Sequence, residues 1–135
     1  MSSFTVVYEG DFRARTINAN GETITTDAAK EFGGKGEALG PVDLLVVSLG
    51  SCALTVMSLA AAKQGIDLKG SRVEIGKTLV PGPEYKIDTI MMRFFISVNV
   101  PVPRRKSLET IAVNCPVHKN LDPRIKEDVE FRYAE

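Results

Sequence analysis

The stretch 41-PVDLLVVSLGSCALTVMSLAAAKQG-65 decides the fold. It opens on a proline, contains no other, and ends at a glycine, which are the boundaries a helix prefers at its first turn and its exit. The spacing predicts a helix over 41–64, about 36 Å long at the α-helical rise. Leu44, Leu45, Val46, Val47, Leu49, Leu54, Val56, Met57 and Leu59 point around the whole circumference, so the rod is expected to be buried on most sides and to form the spine of the fold. Positions 44–62 carry no charge and are long enough to cross a bilayer. The hydroxyls of Ser48, Ser51, Thr55 and Ser58, the lack of Trp or Tyr at either end and the amphipathic strands on both flanks argue instead for a core helix, with no membrane partner.

Outward from this rod, 4–10, 12–17 and 22–27 alternate in strand fashion, with Asn20-Gly21 as the strongest short hairpin signal, and predict an antiparallel sheet. The glycine-rich segment 33–41 is expected to be flexible, and its residue order does not match a phosphate-binding loop. Beyond the rod, 72–80 and 86–100 read as strands joined around 81-PGPE-84, after which Pro101 and Pro103 close the sheet. A short helix over about 105–115 carries Leu108, Ile111, Ala112 and Cys115 on one face and stops at Pro116. A last strand covers 126–134. Strands in runs separated by helices indicate α+β, not an alternating parallel βαβ fold, in a single domain over 1–135. A chain of 135 residues can bury a real core without covalent staples.

Seventeen basic and seventeen acidic side chains cancel, and no basic block exceeds 104-RRK-106, so nucleic acid and anionic lipid are poor partners. The N-terminal MSSFTVVYEGDF lacks the pattern of a secretory signal, which predicts a cytoplasmic protein. In that reducing compartment the two cysteines, Cys52 and Cys115, are either inert core thiols or a redox pair.

Ser48, Ser51, Cys52, Thr55 and Ser58 make a stripe of small polar groups along the rod, suited to lining a site or to close helix packing. A thiol in mid-helix gains nothing from the helix dipole, so a reactive Cys52 needs a cation brought to it. Cys115, read at the C-terminal end of its helix, faces the negative pole and is the poorer nucleophile. Cys52 would then attack first and Cys115 resolve, provided that the helices bring the sulfurs within disulfide reach. His118 completes a C-x-x-H, but three ligands fall short of a closed zinc site. No metal or cofactor is expected, and His118 reads as a loop residue or one hydrogen-bonding near the helix end.

The segments 41-PVDLLVVSLGSC-52 and 114-NCPVHKNL-121, with the order of elements and the glycine-rich loop before the rod, resemble the OsmC/Ohr family of osmotically inducible and organic-hydroperoxide-resistance proteins. The resemblance covers nearly the whole chain. It implies the OsmC-like fold, with antiparallel sheets around a long buried central helix, in an intertwined homodimer with two sites at the subunit interface. It implies a thiol peroxidase in which Cys52 attacks a hydroperoxide, Cys115 condenses with the sulfenate to a disulfide, and an external dithiol resets the pair. It also implies an arginine from the N-terminal sheet as the activating cation, for which Arg13 and Arg15 are the candidates and Arg13 is preferred. Hydroperoxide-resistance members place a glutamate directly after the helix-opening proline to hold that arginine. Here the position is Val42, which leaves Asp43 as the nearest carboxylate, with Glu31 and Glu37 as substitutes. The other readings are a redox-sensing or small-molecule-binding protein on the same fold, and a structural domain with inert core thiols.

Overall fold

The computed structural model describes residues 3–135. The elements run β1 (Phe4–Gly10), β2 (Arg13–Asn18), β3 (Thr23–Asp27), a 3-10 turn (Lys30–Phe32), α1 (Pro41–Ala62), β4 (Arg72–Leu79), β5 (Ile87–Ile96), α2 (Val102–Val113), α3 (Pro116–Lys119) and β6 (Lys126–Tyr133). They belong to two compact units, one ending at Leu45 and the other running from Val46 to Glu135.

In the first unit β1, β2 and β3 form an antiparallel sheet in chain order. The β1–β2 hairpin turns on Asp11 and Phe12, both at positive φ, as a tight two-residue hairpin turn requires. The β2–β3 hairpin turns through residues 19–21, with Gly21 at φ 84° and the amide of Asn18 bonded to the carbonyl of Glu22. This three-residue loop sets Arg13 directly opposite Asp27. The glycine-rich segment, expected to be flexible, is pinned instead. Leu39 accepts from the amide of Asp27, and the amide of Glu37 donates to the Asp27 carboxylate. A Cβ on Gly34 would lie 1.8 Å from the carbonyl oxygen of Ala28, so only glycine allows that approach.

In the second unit β4, β5 and β6 form a sheet in that order, with β4–β5 antiparallel and β5–β6 parallel. The parallel pair corrects the expectation of wholly antiparallel sheets. β6 is reached through a helical crossover rather than a hairpin, and a crossover returns the chain in the same direction. Along β5 every second residue is buried, Ile90, Met92, Phe94 and Ile96, and Phe94 stacks on Phe131 of β6 with ring centroids 4.5 Å apart. These side chains share one core with Val46, Leu49, Ala53, Met57 and Ala61 of α1 and with Leu108 and Ala112 of α2.

Within this chain α1 buries a single stripe: Val46, Leu49, Gly50, Ala53, Met57 and Ala61. Leu45, Val47 and Leu59 remain exposed, so burial on most sides does not hold for one chain alone. By length and composition α1 could cross a bilayer, but its stripe packed on a sheet is that of a core helix. Gly50 makes the approach to the sheet possible, since a Cβ there would lie 3.1 Å from Val73 and 3.3 Å from Ile75.

The short helix begins earlier than predicted. Pro101 is its N-cap and Pro103 sits in its first turn, where proline costs no hydrogen bond. Ile111 faces outward instead of joining the core face. Phe94→Ala removes a fully buried stacked ring and should destabilise the fold by about 3–5 kcal/mol, read from the urea midpoint at unchanged slope.

Candidate functional site

Two local constellations carry chemistry, one in each unit. In the second, Cys52 lies half-buried on α1 and Cys115 is buried at 1% exposure. Cys115 is not the end of α2, which stops at Val113. It is the N-cap residue of α3, extended in φ and ψ, with Pro116 opening the turn. This corrects the dipole argument, because the sulfur faces amides and not carbonyls.

Burial is the largest influence on the Cys115 thiol and raises its pKa. The amides of His118 and Val117 pull the other way without closing a regular cap hydrogen bond. The nearby Cys52 side chain adds to the rise, and Cys52 packs against the buried cluster that contains Cys115. Cys115 therefore keeps its proton because of desolvation, not because of a helix pole.

His118 is no loop residue. It sits in α3 and its Nδ1 pairs with the Glu127 carboxylate on β6. Sequence reading missed Glu127, although strand alternation puts it on the inward face with Val129, Phe131 and Tyr133. Among the described residues no group of three or more His, Cys, Asp or Glu is placed to hold a metal ion.

In the first unit Arg13 donates through Nε and Nη2 to both carboxylate oxygens of Asp27, at 2.9 and 2.8 Å. A weaker contact, 3.4 Å, runs to Glu37. Asp27 is buried, and the Arg13 guanidinium first, with the Glu37 and Ala38 amides, holds its pKa at about 2 despite the opposing effect of burial. Arg13 is correspondingly raised, chiefly by its bond to Asp27. Arg15 pairs with Glu9 at 3.2 Å and is more exposed. Asp43 occupies the first turn of α1, where a carboxylate complements the helix N-terminus. The carboxylate that grips Arg13 is thus Asp27, which sequence reading did not single out, with Glu37 in support.

The larger hollow of the second unit, about 690 Å³, lies between the end of α1 and the turn over 65–71, and neither cysteine lines it. A smaller one of about 330 Å³ has Cys115 in its wall. The model for OsmC-like protein matches residues 34–130. The chain belongs to the OsmC-like family.

Three solved structures place the likeness. A chain from Psychrobacter arcticus 273-4, assigned to osmotic stress induction and detoxification response, is 32% identical with a TM-score of 0.92, over 98% of this chain and 96% of that one. An OsmC-like protein from Mycoplasma pneumoniae is 20% identical with a TM-score of 0.82, over 100% and 98%. An organic hydroperoxide resistance protein from Legionella pneumophila is 16% identical with a TM-score of 0.74, over 97% and 96%. The last two bear on the fold alone. Among curated proteins none matches significantly. The architecture is the OsmC-like α+β fold.

The Asp27 carboxylate sets a pH dependence in this OsmC-like chain. Its folded pKa, about 2, lies below the ordinary 3.8, so the unfolded chain binds the proton more readily between the two. The stability it contributes is complete above the higher value and is lost as pH falls through the lower. Asp27→Asn should lower the melting temperature at pH 7 and flatten its decline between pH 4 and 2, as measured by calorimetry across that range.

Proposed function

We propose that the protein is a cytoplasmic thiol-dependent peroxidase that reduces organic hydroperoxides or hydrogen peroxide and is reset by an external dithiol. Family membership carries the coarser assignment, a peroxide-related redox function. The observation that supports the finer reading is that Cys52 packs against the buried cluster that contains Cys115, whose thiol burial keeps protonated.

In this mechanism the Cys52 thiolate attacks the distal peroxide oxygen, which keeps its hydrogen, and the O–O bond breaks; the alkoxide or hydroxide that leaves takes a proton from solvent and departs as alcohol or water. The Cys52 sulfenic acid then condenses with Cys115, releasing water and forming the disulfide. Arg13, oriented by Asp27, is assigned to stabilise the Cys52 thiolate and the developing negative charge on the leaving oxygen. Arg15 and Asp43 have no such role in this reading, since Arg15 is paired outward with Glu9 and Asp43 sits in a helix first turn.

We further propose that a single OsmC-like domain acts in a homodimer. Leu45, Val47 and Leu59 on α1, and Phe4, Val6 and Tyr8 along β1, are exposed in one chain. Apolar surface of that extent is favourably covered by a second copy, and a three-stranded sheet bare on this scale gains stability from such cover.

Peroxide should convert two titratable thiols per chain to none, with a Cys52–Cys115 disulfide seen in non-reducing peptide mapping. Cys52→Ser should abolish turnover, whereas Cys115→Ser should consume one equivalent and accumulate a sulfenic acid that dimedone traps. Arg13→Ala should slow thiol oxidation by about a hundredfold, the size typical of losing one charge-stabilising group. Two free thiols remaining after peroxide would overturn the assignment. Stoichiometric oxidation without turnover, across several dithiols, would instead favour a redox sensor.

A further inference from the structure

The hollow of about 330 Å³ beside Cys115 has the size of a small-molecule site, and the peroxidase reading leaves it without a role. Its wall is formed by Val56 of α1, Thr110 and Ile111 of α2, and Pro116 and Lys119 of α3, with Cys115 between them. Cys52 does not line it, although Val56 stands one helical turn further along the same face. Lys119 is its one charged lining residue. Ile111, apolar and 41% exposed, forms part of the rim. A cavity that touches one sulfur of a pair and carries a cation beside it has the character of an entry for an anionic sulfur nucleophile.

We propose that this groove is where the reductant, a small dithiol, attacks the oxidised protein at Cys115. The inference rests on the disulfide of the proposed function and adds which sulfur is attacked, from which side, and by what charge type. In the first step the dithiol's thiolate attacks Cys115 Sγ in line with the Cys52–Cys115 bond. That bond breaks and its electron pair leaves on Cys52 Sγ, which is released as the thiolate needed for the next peroxide. In the second step the reductant's other thiol loses its proton and attacks the reductant sulfur of the mixed disulfide. Cys115 is expelled and takes up a proton, and the reductant departs as its own disulfide. Two electrons pass from dithiol to protein, one proton stays on Cys115, and one goes to solvent.

The direction of attack agrees with the leaving groups. Burial makes Cys115 a poor thiolate, so exchange that expels Cys52 is faster than exchange that expels Cys115. The groove offers the required sulfur, and Lys119 favours the negative charge that approaches it.

The test forms the disulfide with diamide, without peroxide, in the full chain, and follows the return of free thiols. The probes are dithiothreitol, which is neutral apart from its thiols, and 2,3-dimercaptopropane-1-sulfonate, which carries a permanent negative charge. Ile111→Trp, on an exposed helix face, should slow reduction by both probes about tenfold by closing access to the sulfur. Lys119→Glu should reduce the ratio of the sulfonate rate to the dithiothreitol rate about tenfold, an electrostatic signature that a loss of packing does not produce. Wild-type rates in Ile111→Trp, an unchanged ratio in Lys119→Glu, or failure of diamide to link the cysteines would each overturn the proposal. A chain that diamide links but peroxide does not would sink the peroxidase reading alone, leaving the groove to be judged by the two variants.

Discussion

Cys115 is buried in the cluster against which Cys52 packs and is seated at the start of a single helical turn, and these conditions depend on one another. The sulfur reaches α1 because α2 stops at Val113 and the chain re-enters a helix at Pro116, leaving Cys115 extended between the two. Two fixed ends hold that joint. On one side Leu108 and Ala112 seat α2 in the core, while Arg105 donates to Val100 O at 2.8 Å and lies over the Tyr133 ring at 4.2 Å. On the other, His118 ties α3 to Glu127 of β6. The parallel course of β6 beside β5 brings both anchors to one sheet. Burial and proton retention at Cys115 are therefore consequences of how the chain returns after α2.

The same placement gives the two sulfurs unequal access. Cys52 stands on α1 between its buried stripe and its exposed face, half-buried. Cys115 lies beneath the surface but against a hollow. A peroxidase with a resolving thiol benefits from such inequality. The attacking sulfur must meet peroxide in its charged form, whereas the resolving sulfur must stay uncharged until the sulfenate appears and then meet a different reagent. Desolvation achieves the second condition without any dedicated partner group.

Much of this was legible in the sequence, and the parts that were not share a cause. Proline and glycine at its ends and an uncharged interior marked α1, alternation marked β1, β2, β3 and β6, and β-branched and aromatic content on either side of 81-PGPE-84 marked β4 and β5. What periodicity does not carry is register and partner. Asn20-Gly21 located the hairpin, but a two-residue turn there would set Arg13 opposite Ala28, while the actual three-residue loop sets it opposite Asp27. A slip of one residue moves every side chain to the other face, so the carboxylate that grips Arg13 could not be chosen from the pattern alone. The C-terminal reading erred similarly. Leu108, Ile111, Ala112 and Cys115 have helical spacing, yet the helix ends before Cys115 and Ile111 faces outward. From the sequence Pro116 reads as a stop, but it opens a further turn, because proline suits a helix start as well as the residues beyond an end.

The cluster around Arg13 constrains how that arginine can serve the proposed chemistry. It holds one positive and two negative side chains, so as it stands the cation is more than neutralised. The two carboxylates are not equivalent. Asp27 is buried, binds through two short bonds, and also accepts from the Glu37 amide, so releasing it would strand a charge and unpin the loop. Glu37 reaches the guanidinium at 3.4 Å with its side chain 63% exposed, and water can replace it at little cost. For Arg13 to favour a thiolate or a peroxide oxygen, Glu37 must yield its place to that anion while Asp27 stays. The carboxylate that orients the arginine and the one that competes with its substrate are then different residues, and the loop of Glu37 couples them because its own amide is bound to Asp27.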